Sequence, residues 1–254
     1  MDKKIKKTNK KNEGGFFELI RTVFWAVIIA IIFRSLLFEP YNIPSGSMLP
    51  NLLVGDYLFV SKYSYGYSRY SFPFGLVPIP SRVLSGNPER GDVVVFKLPS
   101  DTSINYIKRL IGLPGDKIQM KNGRLFLNEK VVERRRLDDF IMGDIDGKLK
   151  MTPQYLEILP NGKRYKILET WGDNGPLDNT GIFTVPKDHY FMMGDNRDNS
   201  QDSRIIQEVG FVPMQNLVGQ ASIIFFSTNG QAKLWEVWKW PISIRFERLF
   251  NQIF

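Results

Sequence analysis

Two serines, Ser45 and Ser47, lie between two prolines in residues 43–52, which read Ile-Pro-Ser-Gly-Ser-Met-Leu-Pro-Asn-Leu. Pro44 and Pro50 restrict the backbone, and Gly46 permits a tight turn. On such a turn Ser47 can expose its hydroxyl and aim its backbone N–H at the same point, as a nucleophile and an oxyanion-hole donor require. Loops of Ser, Gly and Pro are common, so this segment taken alone indicates only a loop.

A serine hydroxyl is a weak nucleophile unless a base removes its proton, and this sequence offers few bases. Cysteine is absent, which excludes disulfides, zinc–thiolate sites and a cysteine nucleophile. The one histidine, His189, lies in Pro-Lys-Asp-His-Tyr-Phe, which is typical of the beginning of a strand and favours a surface or half-buried role. Lysine is the other base that catalytic serines use.

The candidate base is Lys108, in the strand-like run Tyr-Ile-Lys-Arg-Leu-Ile-Gly that begins at Tyr106. Alternation puts Lys108 on the same face as Tyr106, with Ile107 and Arg109 on the other face. The pKa of a lysine ammonium is about 10.4, so Lys108 can be neutral near pH 7 only if burial disfavours its charge. An ordinary surface lysine is the alternative.

A third segment, residues 194–204, reads Gly-Asp-Asn-Arg-Asp-Asn-Ser-Gln-Asp-Ser-Arg and is dense in hydrogen-bonding side chains. A polar turn and a calcium-type loop are two interpretations, but the loop lacks the Gly and terminal Glu of an EF-hand, so we predict no metal site. The third interpretation is a support for a neighbouring site. Ser200 would then orient a neutral lysine, and Asp202 would pair with Arg204.

The apolar segment at residues 16–38 predicts a transmembrane anchor. Its uncharged part, 22–33, reads TVFWAVIIAIIF. A helix rising about 1.5 Å per residue over the whole segment crosses the roughly 30 Å hydrocarbon layer. A core helix is rarely preceded by a lysine tail. A cleaved secretory signal needs a small-x-small site, which the following Arg-Ser-Leu-Leu-Phe-Glu-Pro does not provide.

Residues 1–15 form a basic tail before this anchor. The chain carries a formal charge of +8, and residues 1–13 hold six lysines against Asp2 and Glu13. Half of the excess charge therefore lies in the tail and not on a folded domain, so we expect no nucleic-acid partner. The positive-inside rule places the tail in the cytoplasm and the residues after the anchor on the outer side.

Beyond residue 38 the pattern predicts a mainly β fold with antiparallel sheets. Short β-like runs separated by Gly, Pro, Asn and Asp occur at 56–60, 92–96, 106–111, 123–127, 163–168, 189–193 and 217–226. We predict one β domain from 39–116 and 188–254, with 117–187 as an inserted second lobe. The charge run 133–136 in that lobe is interpreted as a solvated face.

In this order the segments, with Gly-Asp-Val-Val-Val-Phe at 91–96 and Gly-Leu-Pro-Gly-Asp at 112–116, resemble bacterial type I signal peptidase (leader peptidase) over about residues 16–226. The resemblance implies that Ser47 is the nucleophile and Lys108 the general base. It implies an oxyanion hole from the Ser47 N–H and the Ser45 hydroxyl, and a hydrogen bond from Ser200 to Lys108. It also gives Asp202 and Arg204 a supporting role, and it implies no metal or cofactor.

The resemblance further implies the substrate and the location. The partners would be membrane lipid and the signal peptides of exported preproteins, cut after a small-x-small site in the cell (inner) membrane by an extracytoplasmic domain. The implied wall residues of the substrate site are Tyr41, Ile43, Pro44, Met48, Leu52, Tyr106 and Ile107. Asn51 departs from the family, which often has Thr there, and this chain has one membrane segment where Gram-negative members often have two.

Two other functions are consistent with part of the pattern. A self-cleaving Ser-Lys repressor-type protein shares the chemistry but needs a DNA-binding head, and this chain offers only a lysine tail and an anchor. A bitopic envelope scaffold would use the β domain for binding alone. The aromatic residues in 63–74 and 235–250 are either core or, as Trp and Tyr often are, at the membrane interface.

Overall fold

The computed structural model describes residues 15–72, 79–143, 149–230 and 236–253. Within these ranges the chain is one long N-terminal helix followed mostly by antiparallel β structure, which confirms the predicted fold class. The lysine tail lies outside the described residues, as do Pro73, Phe74 and Trp235 of the two aromatic stretches.

The helix α1 (Gly15–Leu36) occupies most of the predicted anchor. Most of its apolar side chains do not pack on the rest of the molecule, and Phe24, Trp25 and Ile29 are each more than half exposed. At its end, the Phe33 ring lies 6.1 Å from the ring of Phe38. It is the one helix in the described ranges that is long and apolar enough to cross a membrane. It ends before the predicted boundary at 38 because the first strand begins at Phe38.

Charged side chains fix the junction between this helix and the sheet. Glu39, in the first strand, lies 2.6 Å from Arg34 of the helix and 2.8 Å from Lys62. The Tyr41 hydroxyl donates over 3.1 Å to Oε2 of this carboxylate, the oxygen that Lys62 contacts. The end of the helix is therefore tied to the strand that leads towards Ser47.

The strands, in chain order, are β1 (Phe38–Asn42), β2 (Asp56–Ser61), β3 (Val93–Lys97), β4 (Asn105–Gly112), β5 (Lys117–Lys121), β6 (Arg124–Leu127), β7 (Lys130–Val131), β8 (Glu133–Arg136), β9 (Phe140–Gly143), β10 (Leu149–Thr152), β11 (Gln154–Ile158), β12 (Arg164–Leu168), β13 (Phe183–Thr184), β14 (His189–Met193), β15 (Val212–Pro213) and β16 (Leu217–Ser227). A short helix, α2 (Trp240–Ser243), follows.

Seven strands form the main sheet in the order β1-β2-β16-β3-β4-β14-β15, antiparallel at every step. The long strand β16 has register shifts near Ala221 and Ile224, where bulges bend a strand. Since β4 lies between β3 and β14, both of its backbone edges are paired, and its residues from Lys108 to Gly112 are buried. A base at Lys108 is therefore on an interior strand and shielded from water.

Three smaller sheets lie within the region predicted as a second lobe, in the orders β13-β5-β6-β7, β12-β11-β8 and β10-β9. Asn122 and Gly123 both have positive φ, 47° and 66°, which is the two-residue hairpin turn that their sequence predicts. The boundaries 39–116, 117–187 and 188–254 stay a prediction.

The charge run in β8 is not solvated throughout. The Arg134 guanidinium packs over the Tyr155 ring at 4.1 Å and lies 2.9 Å from Asp173, and its side chain is nearly buried. Arg135 and Arg136 are exposed. The interpretation as a solvated face is therefore wrong for Arg134, because a ring on the neighbouring strand covers it.

One hydrophobic cluster joins the main sheet to the smaller sheets. Ile111 of β4 and Phe191 of β14 pack with Ile118, Leu125 and Ile167, all of them buried. This shared core holds the smaller sheets against the strand that carries Lys108. Loops of the second lobe can therefore take part in a site beside that strand.

Candidate active site

The loop between β1 and β2 carries Ser47. At its base the Ile43 N–H donates to the Asp56 carbonyl over 2.8 Å, which continues the β1–β2 pairing into the loop. Met48 and Leu52, fully buried, pack into the core beneath it. The serine is thus held at the rim of the sheet by apolar residues on its inner side.

Lys108 of β4 meets Ser47 in the interior of the molecule. Its Nζ lies 2.6 Å from Ser47 Oγ, and Nζ also donates to the Ile107 carbonyl over 3.1 Å. Ser47 is 8% exposed and Lys108 is 4% exposed. A serine hydroxyl at this distance from a neutral amine can transfer its proton directly.

Burial lowers the pKa of Lys108 to about 8. The negative charges of Asp202 and Asp195 raise this pKa, and the positive charge of Arg204 lowers it. In the described part of the chain no carboxylate hydrogen-bonds Nζ. The loss of hydration therefore outweighs the nearby carboxylates, and a usable fraction of the amine is neutral near pH 7.

Asn196, in the segment 194–204, orients the peptide unit before Ser47. Its Nδ2 donates to the Gly46 carbonyl over 3.0 Å, and its backbone N–H donates to the Ser47 carbonyl over 3.0 Å. The Gly46 carbonyl and the Ser47 N–H belong to one trans peptide and point in opposite directions. Because Asn196 holds the Gly46 carbonyl towards itself, the Ser47 N–H points away from Asn196.

Gly194 allows this close contact between the two segments. A Cβ at this position would lie 2.7 Å from the Ser47 carbonyl oxygen and would also overlap Ser200. Any side chain here would push the serine loop away from the segment that supports it. Glycine is therefore required by the close approach of Ser47.

Asp202 and Arg204 form a buried pair next to Ser47 and Lys108, the candidate dyad. Arg204 Nε lies 2.9 Å from Asp202 Oδ1, and Oδ2 accepts a hydrogen bond from the Gly194 N–H over 3.0 Å. Burial raises the pKa of the Asp202 carboxyl, but Arg204 more than reverses this and the net pKa is lowered. Asp202 is therefore a fixed negative charge near Lys108.

Ser200 is buried beside the dyad. Its Oγ makes no hydrogen bond of normal geometry to the described residues, although its hydroxyl helps to lower the pKa of Asp202. The hydrogen bond from Ser200 to Lys108 that the resemblance implies stays a prediction.

A cleft of about 1020 Å³ opens at Ser47 and Lys108. Five of the seven wall residues expected from the sequence line it, namely Tyr41, Ile43, Pro44, Tyr106 and Ile107. Met48 and Leu52 do not, because both are fully buried in the core behind the wall. Ser45 lies exposed in the cleft, beside Ser47.

The family model described as "Signal peptidase, peptidase S26" matches residues 16–226. The chain belongs to this signal peptidase family. Signal peptidase I of Rickettsia typhi is 40% identical, over 100% of this chain and 98% of the relative. Signal peptidase I of Rickettsia conorii is 40% identical, over 97% and 95%.

Among solved structures, a signal peptidase I from Enterococcus faecalis V583 matches with a TM-score of 0.31 and 24% identity, over 54% of this chain and 97% of that one. Family membership makes the chain a serine peptidase. Together with α1 it also indicates a single-pass membrane protein.

Sequence reasoning missed one wall of the cleft of this signal peptidase family member. Trp171, Pro176 and Leu177, from the loop between β12 and β13, also line the cleft. They lie in a polar, turn-rich segment. The presence of three apolar residues in such a segment was the one sign in the sequence that it could contribute to a binding surface. The second lobe therefore contributes to the peptidase cleft.

A buried network on the other side of β4 was also missed. Arg109 binds Asp195 through two contacts of 2.8 Å and 2.7 Å. Asn51, the residue that departs from the family's usual Thr, donates to Asp195 and to the Lys166 carbonyl, both over 2.7 Å. Asn51 thus ties the serine loop both to this ion pair and to β12.

His189 is not in the cleft. Its Nδ1 lies 2.8 Å from the Lys187 carbonyl at the start of β14, and the residues that line the cleft among those described do not include it. The Ser-His alternative therefore has no geometric support, whereas the Lys108 amine is in hydrogen-bond contact with Ser47.

Proposed function

We propose that this chain removes signal peptides from exported preproteins by a Ser-Lys mechanism. The 2.6 Å contact between Lys108 Nζ and Ser47 Oγ carries the proposal. Neutral Lys108 takes the hydroxyl proton while Oγ attacks the carbonyl carbon of the scissile bond, and it then protonates the leaving amine. Lys108 next takes a proton from water as the water oxygen attacks the acyl carbon; when the ester bond to Oγ breaks, Lys108 returns this proton to Ser47 Oγ and the carboxylic acid product leaves. No metal or cofactor takes part in these steps.

The Ser47 N–H and the Ser45 hydroxyl would bind the oxyanion of the tetrahedral intermediate. Asn196 supports this role, because it holds the Gly46 carbonyl on the side opposite the N–H. One oxyanion-hole donor contributes roughly 2.7–4 kcal/mol to catalysis. Ser45→Ala should therefore lower kcat about 100- to 1000-fold and leave KM nearly unchanged. An effect on KM alone would count against this role.

The cleavage site would be of the small-x-small type. The apolar wall that includes Ile43 and Ile107 is backed by the closely packed Met48 and Leu52, which leaves little depth for a side chain. A preprotein whose last signal-peptide residue is changed from Ala to Leu should be cut with kcat/KM lower by roughly 10- to 200-fold or more. Equal rates for both preproteins would contradict this specificity.

The proposed orientation places the tail in the cytoplasm and the cleft on the outer face. The absence of cysteine permits a direct test. In whole cells, a membrane-impermeant maleimide should label Ser85→Cys, an exposed position after the helix, and not Thr8→Cys in the tail. The reverse pattern would overturn the orientation. Contact with lipid, and the absence of a nucleic-acid partner, stay predictions.

The decisive experiment measures preprotein processing by Ser47→Ala and Lys108→Ala in the full chain in detergent. Each variant should lose activity by about 10⁴-fold or more, because the two groups act as a unit. Ser85→Ala and Lys117→Ala change the same residue types at exposed positions and should process at the normal rate. Normal processing by either dyad variant would disprove the mechanism.

A further inference from the structure

Three carboxyl groups converge beneath the second-lobe wall of the cleft. Glu169 follows β12, Asp178 lies in the loop before β13, and Asp198 belongs to the 3₁₀ turn Arg197–Asn199 of the segment 194–204. One oxygen from each lies within 4.8 Å of the others. Three separate segments of the chain therefore bring negative groups to one point.

The buried oxygens of this cluster lack partners among the described residues. Glu169 is 0% exposed and neither of its carboxyl oxygens accepts a hydrogen bond, since Arg134 Nη1 remains 3.9 Å away from Oε1. Asp178 is also 0% exposed, and its Oδ1 has no partner. Burying an unpaired carboxylate is costly, so these oxygens indicate a group that completes them.

The other oxygens of the cluster are held by backbone. Asp178 Oδ2 accepts from the Gly175 N–H over 2.5 Å, and Asp198 Oδ2 accepts from the Trp171 N–H over 2.8 Å. These contacts wrap the loop around the carboxyl groups. In Asp178 the backbone holds one oxygen, and the other, Oδ1, is buried without a hydrogen-bond partner among the described residues.

A neighbouring buried carboxylate shows the contrast. Glu157 lies 2.8 Å from Arg197 Nη1 and accepts from the Tyr165 hydroxyl over 2.7 Å. Its charge is neutralised within the protein. Arg197 uses Nη1 and Nη2 for this pair and makes no hydrogen bond to Glu169, the residue that follows β12.

We propose that Glu169, Asp178 and Asp198 bind one Ca²⁺ ion. Carboxylate oxygens are ligands that Ca²⁺ prefers, and oxygens on opposite sides of Ca²⁺ are roughly 4.6–5.2 Å apart, which accommodates the observed spacing. Three carboxylates on irregular backbone suit its flexible coordination better than the strict octahedron of Mg²⁺. This proposal differs from the prediction of no metal site, which was based on the ligand spacing within the segment 194–204 alone.

The ion would position one wall of the substrate cleft. Trp171, Pro176 and Leu177 lie between Glu169 and Asp178 along the chain and line the cleft. Binding of Ca²⁺ would fix this loop to the segment that also holds the serine loop. The ion takes no part in bond cleavage, and only its effect on substrate affinity depends on the proposed function.

The competing occupant is a proton. Burial raises the pKa of Glu169 to about 9, so a protonated Glu169 could complete the cluster without any ion. The two occupants differ in a measurable way. If Ca²⁺ occupies the cluster, its binding must be saturable, must stabilise the fold and must depend on all three carboxyl groups. If a proton completes the cluster, added Ca²⁺ should neither bind there nor stabilise the fold.

The test uses the purified full chain in detergent, stripped of metal ions with a chelator, and Tb³⁺ as the probe. Trp171 is adjacent to Asp198, so its excitation should sensitise luminescence of Tb³⁺ bound in the cluster. We expect saturable luminescence that Ca²⁺ displaces with a Kd of roughly 10⁻⁴–10⁻³ M, the range of extracellular calcium modules. No saturable signal, or displacement by Mg²⁺ as effective as that by Ca²⁺, would overturn the proposal.

Variants locate the ion. Glu169→Gln and Asp178→Asn should weaken Tb³⁺ binding about tenfold or more, while Asp138→Asn, an exposed carboxylate of the same lobe, should bind normally. Trp171→Phe should lose the luminescence and keep the rise in Tm that Ca²⁺ produces in the parent chain. Undiminished binding by Glu169→Gln or Asp178→Asn would place the ion elsewhere and contradict the proposal.

The same measurements on Ser47→Ala separate this proposal from the proposed function. The Ser47→Ala variant should bind Tb³⁺ and gain Tm with Ca²⁺ as the parent does, because Ser47 is not part of the cluster. In the active chain, Ca²⁺ should lower KM for a preprotein more than it changes kcat, and this effect should be absent in Glu169→Gln. An equal effect of Ca²⁺ on KM in Glu169→Gln would count against the cluster as its source.

Discussion

Two consecutive residues of β4 are buried to a similar degree and have opposite electrostatic environments. On the cleft side, Lys108 contacts a serine hydroxyl and a backbone carbonyl, and burial lowers its pKa to about 8. On the other side, burial also disfavours the charge of Arg109, but Asp195 reverses this and the pKa of Arg109 is raised. Burial alone therefore does not decide the charge of a base in this sheet.

The pKa values of Lys108 and Arg109 shift in opposite directions because the two side chains have different hydrogen-bond partners. Arg109 has a bidentate carboxylate, which is the geometry that stabilises a buried guanidinium. Lys108 has carboxylates nearby, at Asp202 and Asp195, but each is hydrogen-bonded to another cation. Arg109 is therefore a charged structural residue, whereas the neighbouring Lys108 can lose its proton.

The largest expected effect comes from replacing Lys108. Lys108→Met should lower kcat about 10⁴-fold or more, because the base is lost. It should not destabilise the fold at pH 7, since an apolar side chain of similar length replaces a poorly partnered amine. Preprotein processing and denaturant unfolding at pH 7 check both parts. A variant that loses activity by unfolding would show that Lys108 is structural.

Replacing the partner of Arg109, unlike replacing Lys108, should destabilise the fold. Asp195→Asn leaves a buried guanidinium without its carboxylate, which should cost about 3–5 kcal/mol in the free energy of unfolding. Glu133→Gln is the matched control, because Glu133 and Arg135 form an exposed pair expected to contribute less than about 1 kcal/mol. Similar small losses in both variants would remove the distinction between the two sides of β4.

The dependence of rate on pH tests the charge state of Lys108 directly. With a pKa of about 8, the neutral fraction rises roughly 50-fold between pH 6 and pH 8. We expect kcat/KM to rise by about that factor and then to level off, provided that chemistry limits the rate. A profile that is flat over this range would contradict a lysine base.

The same shift has a consequence for stability, with a definite sign. The pKa of Lys108 is lower in the folded chain than in the unfolded chain, where it is about 10.4. Between pH 8 and that value the unfolded state binds the extra proton, so the contribution of Lys108 to stability rises with pH and is lost as pH falls through 8. Lys108→Met should remove this dependence.

The sequence predicted elements with local patterns well, and contacts between distant segments poorly. The strand predicted at 106–111 is observed as β4, because side-chain alternation and a following Gly-Leu-Pro-Gly turn are local signals. The pairing of Ser47 with Lys108 joins residues 61 positions apart. No spacing rule encodes such a contact, and its prediction came from the resemblance to a family.

The errors at the cleft have the same cause. Met48 flanks the serine and was expected in the wall, but neighbours in sequence point to opposite sides of a loop and Met48 packs into the core. Trp171 and Asn196 reach the site from loops of distant segments. The contribution of Trp171 depends on how the two lobes pack, and that of Asn196 on how two distant loops of one domain meet. The local pattern contains neither.

The smallest expected effects come from the charges around Lys108, and they differ in sign. The Asp202 carboxylate raises the pKa of Lys108, and Arg204 lowers it. Asp202→Asn should therefore move the rise of kcat/KM with pH to lower pH. The substitution also leaves the positive charge of Arg204 without its carboxylate, and this charge lowers the pKa of Lys108 further. Arg204→Gln should move the rise to higher pH.

Each shift should be about one pH unit or less, since these charges act across a gap and burial is the dominant cause. Opposite shifts in the two variants would show that the titrating group responds to the field at Lys108. A general loss of structure in either variant would lower the rate at every pH and would not move the midpoint. Shifts in the same direction would contradict the electrostatic account of Lys108, and with it the contrast between the two sides of β4.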